Sequence, residues 1–190
     1  VKNAAKKIQE LVPELDIVLH GGGISQRSFV KDSQFEVFQR LMDVNFFGAV
    51  ALTLELLPRM ISQKKGHFVV ISSVVGKYGT PQRAGYAASK HALHGFFDSL
   101  RAEVIAEGLK VTLVCPGFVK TPITLSSLTA DGSKFGEMGD AHKNAMEPSE
   151  FAQRLLAAID AGKEEVIIGG GKEVLGIYLK RFVPGVFSKV

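Results

Sequence analysis

The sequence predicts an α/β fold: a doubly wound parallel sheet in three layers, with helices on both faces. Three observations predict it. Four short apolar runs, Leu15 to Leu19, His67 to Ser72, Val111 to Cys115 and Glu165 to Ile168, are continuous rather than alternating, as strands buried on both faces are. Amphipathic helical patterns long enough to cross over a sheet separate them. Each run ends at small or turn-forming residues: Gly21-Gly22-Gly23, Ser72-Ser73, Pro116-Gly117 and Gly169-Gly170-Gly171.

Taken in order, Val1 to Leu11 reads as an amphipathic helix already under way, with Ala4, Ala5, Ile8 and Leu11 as its apolar stripe. The expectation is that the chain is the later part of a longer protein. After the first strand, Asp32 or Ser33 is placed to cap a long helix to about Gln63, with bends expected at Asn45 and Pro58. A helix from about Ala84 to Glu107 follows the second strand and opens on the small residues Ala84, Gly85, Ala87, Ala88 and Ser89. Thr124 to Glu147 is polar, rich in Gly, Ser, Asp and Met, and expected to be a mobile substrate lid. Pro148-Ser149-Glu150 opens a helix to about Ala161, and a short amphipathic tail ends the chain. No second domain is evident, so residues 1–190 are expected to be one unit.

Composition bounds the function. Hydrophobic residues make up 46% and charged residues 22% of the 190, which is ordinary for a globular chain. The net charge of +4 is scattered, without an arginine-rich arm or aromatic–basic interleaving, so no nucleic-acid partner is expected. No uninterrupted apolar run reaches the length of a bilayer span, so no transmembrane segment is expected. The single cysteine, Cys115, allows no internal disulfide and fits a reducing, cytoplasmic setting; its apolar neighbourhood reads as a buried structural thiol. His91 and His94 share a helix face, but no third ligand has metal-like spacing, so no metal is expected. No Gly-x-Ser-x-Gly elbow occurs, which argues against a hydrolase. In the tail, Lys180 and Arg181 beside Leu179, Phe182, Val183 and Phe187 allow a peripheral membrane contact.

The most informative motif is Tyr86 followed by Lys90, one helical turn apart on one face. A nearby ammonium stabilises a phenolate, so the spacing predicts a lowered Tyr86 pKa and proton transfer near neutral pH. An i,i+4 pair on a solvated face is the plainer reading. Ser73 at the end of the second strand tips the balance. In an open parallel sheet, ligands bind beyond the carboxyl ends of the strands, and the chain puts its candidates there: His20 to Ser25, Ser73, and Pro116 to Thr121.

Five pieces in order, Gly22-Gly23-Ile24-Ser25, Val44-Asn45-Phe46-Phe47-Gly48, Ile71-Ser72-Ser73, Tyr86-Ala87-Ala88-Ser89-Lys90 and Pro116-Gly117-Phe118-Val119-Lys120-Thr121-Pro122, resemble the short-chain dehydrogenase/reductase family. The resemblance covers roughly the last three quarters of such a domain. It implies a Rossmann-like sheet lacking its first strands and an NAD(P)-dependent oxidoreductase that interconverts an alcohol and a carbonyl, with a lipid-like small molecule as substrate. It also implies a catalytic set of Asn45, Ser73, Tyr86 and Lys90. Tyr86 gives or takes the proton, Ser73 holds the substrate oxygen, and Lys90 tunes Tyr86 and grips the ribose. Asn45 holds a relay water, or, from its spacing alone, satisfies backbone groups at a helix bend. Gly22, Gly23, Tyr86, Lys90, Pro116, Gly117, Val119 and Thr121 are the implied cofactor contacts. The cofactor is NADP or NAD, with NADP favoured; the residue that selects between them lies in the part of the family domain this chain does not contain. A homodimer or homotetramer through helices 35–63 and 84–107 is implied. A non-catalytic dinucleotide-binding or scaffold protein on the same fold is the alternative. The family's Asn-Asn-Ala-Gly is here His20-Gly21-Gly22-Gly23, which removes two asparagines that tie central strands together.

Overall fold

The computed structural model describes residues 1–137 and 145–188. Four strands, β1 (Ile17–His20), β2 (Gly66–Ile71), β3 (Leu109–Pro116) and β4 (Glu165–Ile168), form one parallel sheet in that spatial order. Val18 pairs with Phe68, Phe68 with Val111 and Val114 with Val166. The helices are α1 (Lys2–Leu11), α2 (Phe35–Met42), α3 (Gly48–Gln63), α4 (Ala84–Val104), α5 (Pro148–Asp160), α6 (Gly171–Phe182) and α7 (Pro184–Phe187).

Alternation along the strands builds the three expected layers. Phe68, Val70, Val111 and Leu113 point into a core shared with Ala5 of α1, Leu56 and Met60 of α3, and Leu93, Phe97 and Leu100 of α4. Val69 and Val114, their neighbours in sequence, point the other way, to Leu155, Phe151 and Ile159 of α5. A third cluster, around Val37, Leu41, Val75, Tyr78, Tyr86 and Leu128, lies at the carboxyl end of the sheet. Among the described residues β1 pairs on one side only, and Ile17 and Leu19 stay exposed there.

Several expectations need correcting. Neither Asp32 nor Ser33 caps the long helix. α2 starts at Phe35 after Gln34, without a side-chain cap, and Ser33 Oγ donates instead to Phe29 O at 2.8 Å. The bend at Asn45 is a π turn, Asp43–Phe47, whereas α3 runs through Pro58 unbroken. The carbonyl that Pro58 leaves without its amide belongs to Leu54 on the exposed side, where the loss is tolerated. By helix length and composition, the stretch Phe35–Gln63 is apolar enough to cross a bilayer, although polar residues interrupt it; its Leu41, Leu56 and Met60 are buried in the protein core. The expected lid carries fixed pairings: Leu128 bridges to Gln26 and Lys134, and Thr124, Ser127 and Leu128 are buried. Its residues 138–144 lie outside the described residues.

Candidate active site

Parallel strands all deliver their carboxyl ends to one edge, and the chemistry collects there. A cavity of about 440 Å3 is lined by Gly21 and Gly23 after β1, Ser73 after β2, Tyr86 and Lys90 in the first turns of α4, and Pro116, Gly117, Val119 and Thr121 after β3. Of the implied site residues, Gly22 and Asn45 stand outside it and line a smaller cavity of about 190 Å3 that shares Gly21 and Ile71 with the first. Glycine at position 23 is explained by close approach: a Cβ there would come within 3.3 Å of Asn45 Oδ1 and 3.4 Å of Lys90 Nζ.

The electrostatics correct the simple reading of the Tyr86–Lys90 spacing. Tyr86 is buried, and burial raises its pKa above the ordinary phenol value. A hydrogen bond with the Ser73 side chain and the Arg83 charge pull it back down. Lys90 Nζ lies 5.8 Å from the phenol ring centroid and donates to Ile71 O at 2.8 Å. Burial lowers the Lys90 pKa to about 8. Sequence spacing gave the proximity of ammonium and phenol, while the low-dielectric surroundings set the direction of both shifts. The phenol keeps its proton at neutral pH, and the Ser73 hydroxyl that eases its loss also accepts weakly from Val75 N and donates to Pro116 O, each at 3.4 Å.

Asn45 serves as a clamp. Its Oδ1 accepts from Ile24 N at 2.8 Å, and Nδ2 donates to Ile24 O at 3.0 Å and Ser89 Oγ at 2.8 Å. Both amide hydrogens are thereby used, tying the glycine turn after β1 to α4 through the π turn, which matches the helix-bend alternative.

His94, Cys115 and Glu165 form the one group among the described residues with metal-like proximity, which the sequence spacing did not reveal. Its contacts are those of a structural brace. His94 Nε2 lies 2.9 Å from Ser72 Oγ and 3.7 Å from Cys115 Sγ, and the Lys77 ammonium sits on the Glu165 carboxylate. Burial holds His94 down to about 4 and pushes the Cys115 thiol up to about 12, so the thiol is no nucleophile.

Sequence reasoning missed Gln26. It is fully buried, and its Oε1 accepts from the Gly85 amide at 2.8 Å and the Tyr86 amide at 3.4 Å, capping the start of α4. Its Nε2 donates to Ser28 Oγ at 3.1 Å. Gly85 is glycine because a Cβ would come within 2.7 Å of Phe38 and 2.8 Å of Leu41. The small residues ahead of Tyr86 were the one available signal that α4 starts under a close neighbour.

The sequence model described as short chain dehydrogenase matches residues 1–131, more than half of the chain. The chain belongs to the short-chain dehydrogenase family. Among curated relatives, it is 40% identical over 190 residues to a "Dehydrogenase/reductase SDR family member 7B" of Bos taurus and 42% identical over 190 residues to that of Xenopus laevis. All of this chain is covered in both, with 58% and 59% of the relatives, so it spans less than two thirds of their length. A solved short-chain dehydrogenase from Streptomyces avermitilis is similar with a TM-score of 0.82 at 23% identity, covering 99% of this chain and 71% of that one. One from Burkholderia cenocepacia in complex with NADP gives 0.80 at 20% identity, covering 99% and 72%. Both likenesses show the fold alone. A 4-hydroxyisoleucine dehydrogenase solved with NADH and succinate gives 0.68 at 25% identity, covering 89% of this chain and 73% of that one.

His20, where the resemblance implies an asparagine, makes ties of its own. His20 is buried, its Nε2 lies 2.9 Å from Thr53 Oγ1 of α3, and its ring stacks on Phe68 with centroids 6.0 Å apart. Burial holds its pKa down to about 4. One neutral histidine thus joins β1 to α3 and β2 in this family member.

Proposed function

We propose that the chain belongs to an NAD(P)-dependent oxidoreductase that interconverts an alcohol and a carbonyl, with Tyr86 as general acid/base. One observation carries the proposal: Ser73, Tyr86 and Lys90 line a single cavity at the carboxyl edge of the sheet, where the Ser73 side chain acts on the Tyr86 phenol. Two groups that can donate to the same oxygen are what carbonyl reduction requires. The protonated phenol gives its proton to the carbonyl oxygen while Ser73 holds that oxygen in place. The Lys90 ammonium, fixed on Ile71 O, supports the negative charge left on the phenol.

The residues present suit a nicotinamide dinucleotide. Lys90 has two further N–H donors for ribose hydroxyls, and Pro116, Gly117, Val119 and Thr121 form the adjacent wall. Glycine at position 117 lets that wall pack closely on the end of β4, since a Cβ there would come within 3.0 Å of both Gly169 Cα and Glu173 Oε1. When bound, the cofactor supplies or accepts the hydride; it is NADP or NAD, as in the solved relatives. The test is Tyr86→Phe in the intact protein. A loss of turnover of roughly a hundredfold or more is expected; turnover near the parent's would show that Tyr86 is not the acid/base, whereas no turnover of any alcohol or carbonyl by the parent itself would favour a non-catalytic binder.

A further inference from the structure

Two guanidinium groups, Arg27 and Arg83, line the same cavity as Ser73 and Tyr86. The backbone builds their placement. Gln26 accepts from the Gly85 amide at 2.8 Å, and the Ser28 amide donates to Gln82 O at 3.1 Å. The segments carrying the two arginines therefore run side by side, 56 positions apart in sequence (83 − 27). From the other side, the Arg27 amide donates to Leu128 O at 2.8 Å. Gln82, immediately before Arg83, holds a φ of 64°, in the left-handed region that side chains other than glycine seldom adopt. Such backbone is retained where its surroundings fix it.

Both arginines are half-buried, and Arg83 lies 5.5 Å from the Phe118 ring centroid. Among the described residues neither guanidinium has a carboxylate partner in ion-pair reach. The one acidic residue on the cavity wall, Glu173, packs against Gly117 and Gly170. Two like charges held in one partly desolvated place cost free energy until an anion neutralises them. Burial and the Arg27 charge already lower the Arg83 pKa.

We propose that the substrate carries an anionic group, carboxylate or phosphate, which Arg27 and Arg83 clamp while its carbonyl faces Ser73 and Tyr86. This rests on the oxidoreductase reading of the same cavity. A guanidinium presents a planar fork of donors that fits either anion bidentately, and two forks on one wall fix the orientation of the substrate as well as its charge. Arg27 and Arg83 are then specificity-determining residues; neither donates or accepts the transferred proton, although the Arg83 charge also eases its loss from Tyr86.

The test compares matched ketones on the intact protein with its reduced cofactor: 4-oxopentanoate against 2-pentanone, and hydroxyacetone phosphate against hydroxyacetone. Titration calorimetry reads Kd, and steady-state reduction reads kcat/KM. At least one anionic ketone is expected to exceed its neutral counterpart by roughly tenfold or more in both quantities, and the pair that does so identifies carboxylate or phosphate. Arg27→Met and Arg83→Met should each remove most of that preference, and the lysine variants should keep part of it. Equal Kd and kcat/KM within both pairs overturns the inference without any variant. So does a preference that survives both methionine variants at unchanged melting temperature. Charge-selective binding without turnover of any ketone overturns the oxidoreductase reading and leaves the clamp standing.

Discussion

Gln26→Leu is the most instructive single change outside the reacting groups. Leucine fills nearly the same volume, so packing around this fully buried position is largely kept. What disappears is the acceptor for the Gly85 amide at 2.8 Å and the Tyr86 amide at 3.4 Å. A buried donor left unpaired costs about 1–3 kcal/mol, and loss of a helix N-cap costs about 0.5–2 kcal/mol by the same physical event. The two ranges describe one loss and overlap at about 1–2 kcal/mol. For a chain of this length that corresponds to a Tm lower by about 2–8 °C. The first turn of α4 carries Tyr86, so its loosening should also reduce kcat by roughly tenfold to a hundredfold. Thermal melts and steady-state turnover of the intact protein give both numbers. Gln26→Glu, which retains an acceptor, is the control and should stay nearer the parent in each. A leucine variant within about 0.5 kcal/mol of the parent, with unchanged kcat, would refute the claim that Gln26 holds the catalytic turn in place.

Acid should destabilise the protein through its buried histidines. His20 and His94 are each held to about 4 in the folded state and return to about 6.5 when unfolded. The unfolded chain then binds more protons between those values, so stability is full above pH 6.5 and falls as pH drops toward 4, by roughly 3 kcal/mol per group. His20→Asn should flatten that slope in urea melts at pH 7 and pH 4.5, and an equal slope would contradict it. Ketone reduction kcat/KM should fall as pH rises through about 8, where Lys90 loses its charge; Lys90→Arg should move that limb upward, and a limb that stays put would assign it elsewhere. Gly23→Ala should crowd Asn45 and Lys90 and lower cofactor affinity in titration calorimetry; parent-like affinity would show that the close approach at 3.3–3.4 Å is not needed. Assembly is expected through helices 35–63 and 84–107, the first of which exposes Phe35 of α2, Phe47 of the π turn and Leu54 of α3; sedimentation showing a micromolar monomer would count against it.

The strands were legible because each is a continuous apolar run closed by glycine, proline or serine, and the last, Glu165–Ile168, is observed with the expected bounds. The meeting of Ser73, Tyr86 and Lys90 was legible for a related reason: parallel strands deliver their ends to one edge, and helical spacing does the rest. The direction of the Tyr86 shift was not legible, because spacing reports distance and says nothing of burial. Gln26 was silent for another reason. An isolated glutamine after a glycine turn has no pattern, and its partner Gly85 lies 59 positions away. Arg27 and Arg83 were likewise hidden, since each is an ordinary loop arginine until the backbone sets them side by side. His20 showed only as a departure from the family's asparagines, and its stacking on Phe68 became visible once β1 and β2 were paired.

The most direct test of the account is a double-mutant cycle on carbonyl reduction by the intact protein, using Ser73→Ala, Tyr86→Phe and the two together. If both hydroxyls serve one oxygen, each single change should be severe and the pair scarcely worse than the more damaging single change. Single variants that turn over like the parent, or losses that simply multiply, would contradict a shared role for the two groups.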